Sequence, residues 1–303
     1  MKISQDRRGF LKTSTASALG MMILNPLGLS SCTSGNRKRF GEGLQLYSIR
    51  DAMSEDVPGS LKKISDLGFK YLELADYSAG KFYGYAPAEF KKMVEDQGMV
   101  ALSSHTKVEA EGITVENAKS LADAHAELGV KFCVQPWVEE VDRNIESYKR
   151  MVGDWNEVGG IMKKVGIQFG YHNHNFEFAN LDGIVPYYDL YLPALDADLV
   201  TMELDLFWAA KAGQDPVEMF NKYPGRFQLL HLKDMYTNEA PFYDVIKDDI
   251  AAVGEGVIDF KRILAAKEVS GVKYHFVEDD NQGNGKPFET LGISMDNLTT
   301  EIL

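Results

Sequence analysis

The chain has 303 residues, 45% of them hydrophobic and 11% aromatic, which is ample apolar material for one large packed domain. Its formal net charge is −13, from 32 basic and 45 acidic residues. A surface that acidic repels phosphate backbones at long range and argues against nucleic acid as a partner.

At the N-terminus, Asp6-Arg7-Arg8-Gly9-Phe10-Leu11-Lys12 precedes a weakly apolar stretch that ends in Leu29-Ser30-Ser31-Cys32. The arginine pair and the small residues before Cys32 resemble a twin-arginine export signal followed by a lipobox. Residues 1–31 are therefore expected to be a signal segment and 32–42 a polar tether. The location expected is the cell envelope, on the periplasmic side, with membrane attachment only through a lipid on Cys32. The other cysteine, Cys133, lies in the apolar run Lys131–Gln135 and reads as a small core residue.

From Gly43 onward, β-like apolar runs alternate with amphipathic helical stretches, as in βαβ units. The expected strands are Leu44–Tyr47, Tyr71–Leu74, Val100–Ser103, Phe132–Gln135, Ile167–His172, Leu199–Leu204, Gln228–Leu232 and Tyr274–Glu278. Helical patterns fill the gaps at Leu61–Gly68, Pro87–Gln97, Ala118–Leu128, Asn144–Val165, Pro216–Tyr223 and Phe260–Val269. Gly68, Gly98, Gly129, Gly166 and Gly271 each stand between a helical pattern and the next strand, where helix C-caps fall. Eight strands in this alternation predict an α/β fold, a single (β/α)8 TIM barrel over residues 43–303.

Four of these strands end in clusters of polar side chains. They are Tyr171-His172-Asn173-His174, Glu203-Leu204-Asp205, His231-Leu232-Lys233-Asp234 and Glu278-Asp279-Asp280. A parallel barrel gathers the C-terminal ends of its strands around one mouth, so these residues are expected to converge. Alternation places His172 with His174, Glu203 with Asp205, His231 with Lys233, and Glu278 with Asp280 on shared faces. Polar groups on buried strands are costly unless paired or metal-bound, and histidine with carboxylate suits a divalent cation. His125, on an alanine-rich helix, and His275, of opposite parity to Glu278, read as structural. Glu73 and His105, near the ends of strands two and three, are candidates for substrate contact or for the rim.

At these motifs the chain resembles the sugar phosphate isomerase/epimerase superfamily, the xylose isomerase-like barrels. The likeness is carried by Tyr171-His-Asn-His-Asn-Phe-Glu-Phe178, Glu203-Leu-Asp-Leu-Phe-Trp208, His231-Leu-Lys-Asp234, Gly254-Glu-Gly256 and Val277-Glu-Asp-Asp280. Within the family the spacing is nearest to keto-sugar lyases of the inosose dehydratase kind. The resemblance implies a divalent ion, any of Mn, Co, Zn, Fe or Mg, held by His172, Asp205, His231 and Glu278. Epimerases of the group carry a glutamate where this chain has His172. Two-carboxylate epimerisation would then need Glu177 to take that place. Trp208 stands where some relatives have a substrate-binding histidine, and reads either as a ring for stacking on a sugar or as a core aromatic.

The implied function is metal-dependent chemistry on a small carbohydrate, a keto-sugar or 3-keto-glycoside. Proton abstraction next to the carbonyl leads to β-elimination, with His174, Glu177, Lys233 and Glu278 as the candidate acid, base and anion-holding groups. The alternatives are a sugar epimerase or aldose–ketose isomerase, and a non-catalytic sugar-binding lipoprotein.

Overall fold

The computed structural model describes residues 42–108 and 112–303. The expected export segment, Cys32 and nearly all of the expected tether lie outside the described residues. Among the described residues, eight strands form where the apolar runs predict them: β1 Gly43–Gln45, β2 Tyr71–Leu74, β3 Val100–His105, β4 Phe132–Gln135, β5 Gln168–His172, β6 Val200–Asp205, β7 Phe227–Leu232 and β8 Tyr274–Val277. Each pairs in parallel with its sequence neighbours, and β8 pairs with β1, so the barrel is closed. Closure removes every free sheet edge and sets the inward side chains of all eight strands around one axis.

Two strand ends differ from expectation by two residues, for local reasons, and the other strand boundaries by at most one. The Gln45 side chain accepts a hydrogen bond from the Tyr47 N–H, which ends β1 early and starts a 3-10 turn at Leu46–Ile49. β3 runs two residues further, to His105, and so carries that ring into the interior. The helices begin on the caps their sequences supply. Thr114 and Asn117 form a capping box for Val115–Leu128, and Asn144 accepts from Ser147 N at the head of Ile145–Lys163. Sequence periodicity missed the antiparallel ribbon of Asp234–Met235 with Ile250–Ala251 and the helix Pro287–Asn297. A two-residue strand is too short to show a period.

The barrel interior is layered. Leu102, Phe132, Val134, Leu229 and Phe276 form an apolar plug, with Tyr71 and Tyr274 packed against it. The Tyr71 and Tyr274 rings meet edge-on at 5.4 Å. Further along the strands the inward residues turn polar, and the site is built there. Register shifts at Leu72/Glu73 and Met202/Glu203 lie at the transition from apolar to polar. Outside the barrel, helix Ile145–Lys163 lies so close to the start of β6 that a Cβ on Gly159 would stand 2.7 Å from the Leu199 carbonyl oxygen.

Adjacent glycines should therefore respond with opposite sign. Gly159→Ala is expected to destabilise the fold by about 1–3 kcal/mol through overpacking. Gly160→Ala meets nothing within 4 Å and should stabilise it by roughly 0.5–1 kcal/mol through helix propensity. Chemical denaturation of the two variants checks this; equal effects would mean that the close approach does not decide the packing.

Candidate active site

Above the plug lies a fully buried layer of alternating carboxylates and imidazoles. Glu73 on β2 accepts from Ser103 Oγ at 2.6 Å and from Gln45 Nε2 at 2.9 Å, and lies 2.6 Å from His231 Nε2. Glu203 on β6 lies 2.5 Å from His105 Nε2 and 3.2 Å from His172 Nδ1. The sequence pairs Glu203 with Asp205 by parity, but nothing in it shows that Glu203 stands a full step deeper and meets a histidine from β3.

One step nearer the mouth, His172, Asp205, His231 and Glu278 offer ligand atoms that all lie within 4.8 Å of one another. His231 Nδ1 is 2.9 Å from Glu278 Oε2, and His172 Nε2 is 3.8 Å from Asp205 Oδ2. Lys233 Nζ stands among the acids, 2.6 Å from Glu278 Oε2, 3.0 Å from Asp205 Oδ2 and 3.2 Å from Asp280 Oδ2. Two imidazoles and two carboxylates are a fitting donor set for a borderline divalent cation. Asp205 Oδ2 is buried and is faced by the Lys233 ammonium at 3.0 Å and by the His172 and His231 rings at 3.8 and 3.9 Å.

The electrostatics follow from this crowding. Burial disfavours charge on His231, yet Glu203, Glu278 and Glu73 together hold it well above the usual histidine range. Lys233 likewise overcomes burial through Asp205, Asp280 and Glu278 and is held well above the usual lysine range. Glu278 is held well below the carboxylate range by Lys233 and His231, against the effect of burial. Burial, with the His231 charge beside it, pushes His172 down to about 3, and burial raises Asp205 to about 6.

A cavity of about 420 Å³ opens over this group. Its walls include His105, His172, His174, Lys233 and Glu278, with Tyr47 and Trp137 as aromatic faces and Lys247 and Asp280 at the rim.

A family model described as the xylose isomerase-like TIM barrel matches residues 61–275. The chain belongs to the xylose isomerase-like TIM barrel family. A sugar phosphate isomerase/epimerase of known structure from Parabacteroides distasonis ATCC 8503 is similar over 90% of this chain and 97% of its own, with a TM-score of 0.72 and 31% identity. A protein named IOLI, solved with a bound zinc atom, covers 87% of this chain and 99% of its own at a TM-score of 0.67; at 15% identity it shows a shared fold alone. An inosose dehydratase from Lacticaseibacillus casei is 27% identical over 155 residues, 48% of this chain. The match takes in 51% of that protein, so the chain spans about half the length of the curated relatives it matches.

Within this xylose isomerase-like barrel, three expected contacts need correction. Glu73 is fully buried in the inner layer and is committed to Gln45, Ser103 and His231, so it is not placed to touch a substrate. Trp208 is fully buried against Phe207 and His174 and has no open face for a sugar. The half-buried ring at the mouth is Trp137, just past β4, which meets His174 edge-on at 4.7 Å. Glu177 points away from the cation group. It accepts from the Tyr171 hydroxyl and from His174 N at 2.9 Å, and so braces the loop that carries His174. His105 does line the cavity, and His125 is structural, bonded to Thr106 Oγ1 at 2.8 Å and close to the Leu121 carbonyl. Asp234, part of the family motif, accepts from Met235 N, Gly254 N, Gly256 N and Ile258 N, fastening the Gly254-Glu-Gly256 loop. A Cβ on Gly256 would fall 2.2 Å from Asp234 Oδ1, which explains the glycine.

Burial raises Glu177 from 4.5 to about 7, against the Tyr171 hydrogen bond. The folded chain therefore holds this proton more tightly than the unfolded chain. The resulting stability is fully present below about pH 4.5 and is lost as the pH rises through about 7. Glu177→Gln cannot ionise and should escape that loss. The stability advantage of wild type over the variant is expected to shrink by up to about 3 kcal/mol between roughly pH 5 and pH 8, read by denaturant unfolding. A difference that does not change with pH would contradict this.

Proposed function

We propose that the protein is a divalent-metal-dependent lyase acting on a keto-sugar or 3-keto-glycoside by proton abstraction beside the carbonyl and β-elimination. The observation that carries this reading is the His172–Asp205–His231–Glu278 group at the floor of a sugar-sized cavity, with Lys233 and His174 on its walls. A cation held by these four residues would polarise a carbonyl and its neighbouring hydroxyl and make the proton between carbonyl and leaving group easier to remove. His174 is the imidazole of the cavity wall that belongs to neither ligand group, and it is the proposed base. Lys233, held by three carboxylates, is placed to stabilise negative charge developing on the carbonyl oxygen. As the C–H electrons form the new C=C bond, the bond from the β-carbon to oxygen breaks. That oxygen leaves with its electron pair and takes up the proton that His174 has removed from carbon, departing as water or an alcohol.

Elimination is favoured by the asymmetry of the walls. Reversible epimerisation through two carboxylates needs one on each face of the substrate. Here β5 presents an imidazole and Glu177 is turned away. The name of the inosose dehydratase relatives agrees with loss of water, whereas that of the Parabacteroides structure favours the isomerase alternative. A second hollow, of about 840 Å³, adjoins the first across Tyr47 and Ala75 and is walled by Met53, Val57, Tyr83 and Tyr85. It would accept a second ring, and thus a glycoside in preference to a single sugar. The export signal read in the sequence would put this activity in the cell envelope.

Mass spectrometry after incubating the metal-loaded protein with a panel of 3-keto-glycosides and keto-sugars tests the reading. Release of an unsaturated sugar together with water or the aglycone is expected, and conversion at unchanged mass would favour the isomerase. His174→Ala and Lys233→Ala should keep the cation and lower kcat by about 10²–10⁴-fold. Loss of metal affinity with near-normal metal-saturated kcat would mean that these residues only brace the ligands.

A further inference from the structure

The described residues contain two four-residue groups able to hold a cation, and they share two histidines. The outer group is His172, Asp205, His231 and Glu278; the inner is His105, His172, Glu203 and His231. The shared rings present opposite nitrogens to the two groups. His231 turns Nδ1 outward, 2.9 Å from Glu278 and 3.9 Å from Asp205, and Nε2 inward, 2.6 Å from Glu73 and 3.4 Å from Glu203. His172 does the reverse, with Nε2 3.8 Å from Asp205 and Nδ1 3.2 Å from Glu203.

A neutral imidazole has one lone pair and one N–H, so neither ring can serve a cation in both groups at once. Whichever nitrogen faces the ion, the other must donate to something. We infer that Glu73 and Glu203 are positioning residues that lock His172 with its proton on Nδ1 and His231 with its proton on Nε2, so that both lone pairs face the outer group. The inference rests on the proposed reading that a cation occupies that group.

The inner layer is furnished for holding protons. Glu73 is already fastened by Ser103 and Gln45, so its position does not depend on an ion. His105 Nε2 lies between the two acids, 2.5 Å from Glu203 and 3.2 Å from Glu73, and can share a proton between carboxylates that would otherwise repel. Both acids are fully buried, and Glu203 lies two residues closer than Asp205 to the N-terminal end of β6, away from the mouth. Neither is placed to meet substrate. Opposite tautomers on two neighbouring ligands are a specific consequence that generic packing would not produce. One feature would suit an inner ion instead: Glu203 Oε1 is buried without a hydrogen bond.

The test uses protein labelled with 15N-histidine and titrated with Zn²⁺, which is diamagnetic. Two-bond 1H–15N correlations read the tautomer of each of the six histidines, assigned through single His→Gln variants. One zinc per chain is expected, with His172 protonated at Nδ1 and His231 at Nε2. Glu203→Leu, which cannot accept the proton, should weaken zinc binding about 10–100-fold and release His172 from its single tautomer, whereas Glu203→Gln should retain most of both. Zinc on the inward nitrogens, two zinc ions per chain, or unchanged tautomers and affinity in Glu203→Leu would overturn the inference while leaving a metal enzyme. Absence of zinc binding by the wild type would overturn the inference and the metal-dependent reading together. The tautomer measurement needs only folded wild type, so a Leu variant that fails to fold does not remove the test.

Discussion

A carboxylate buried in or just above a closed barrel must find a cation or several donors, and here Glu73, Glu203, Asp205, Glu278 and Asp280 all do so. Stranding one such charge costs about 3–5 kcal/mol, a large part of a typical domain's net stability. His105, His172, His231 and Lys233 are therefore structural before they are chemical. Each is fixed by the acids it neutralises, and each acid in turn is fixed by donors from a neighbouring strand. The geometry that would hold a cation follows from this mutual dependence.

The layering makes the arrangement directional. The plug of Leu102, Phe132, Val134, Leu229 and Phe276 seals the N-terminal side, so the polar groups above it are approached from the mouth alone. Away from bulk water, each ion pair and hydrogen bond acts at greater strength. Successive inward positions on one strand then take different tasks. On β6, Glu203 meets the His105 and His172 rings in the inner layer, and Asp205 stands in the outer group with His172, His231 and Lys233. Just past β7, Lys233 stands one inward step beyond His231 and meets the cavity. The same alternation that makes a strand thus sets the spacing between the inner layer, the outer group and the cavity wall.

Much of this was legible in the sequence. Alternating apolar runs and glycine stops located the eight strands, side-chain parity paired the inward polar residues, and the family resemblance singled out the four whose ligand atoms the structure brings together, His172, Asp205, His231 and Glu278. Parity does not report depth, however, and so Glu203 and Glu73 read as neighbours of the site when they form the layer beneath it. For Trp208 the motif position leaves stacking and core readings open, because it says nothing of which ring face is covered, and the structure selects the core. Its ring packs on Phe207 and His174, while Trp137, outside any motif, lines the cavity. Glu177 was misjudged because a 3-10 turn after β5, Phe176–Phe178, rotates it back towards Tyr171. The ribbon that supports the Gly254–Ile258 loop rests on Asp234, whose carboxylate gathers four backbone N–H groups from segments that no local pattern connects.

The most direct measurement of the central claim is an anomalous-difference map from crystals of the protein loaded with Mn²⁺ or Zn²⁺. The account predicts one strong peak about 2.0–2.3 Å from His172 Nε2, Asp205, His231 Nδ1 and Glu278, with Glu203 and Glu73 outside bonding distance. A peak bonded to Glu203 and His105, or no peak inside the barrel at all, would contradict it.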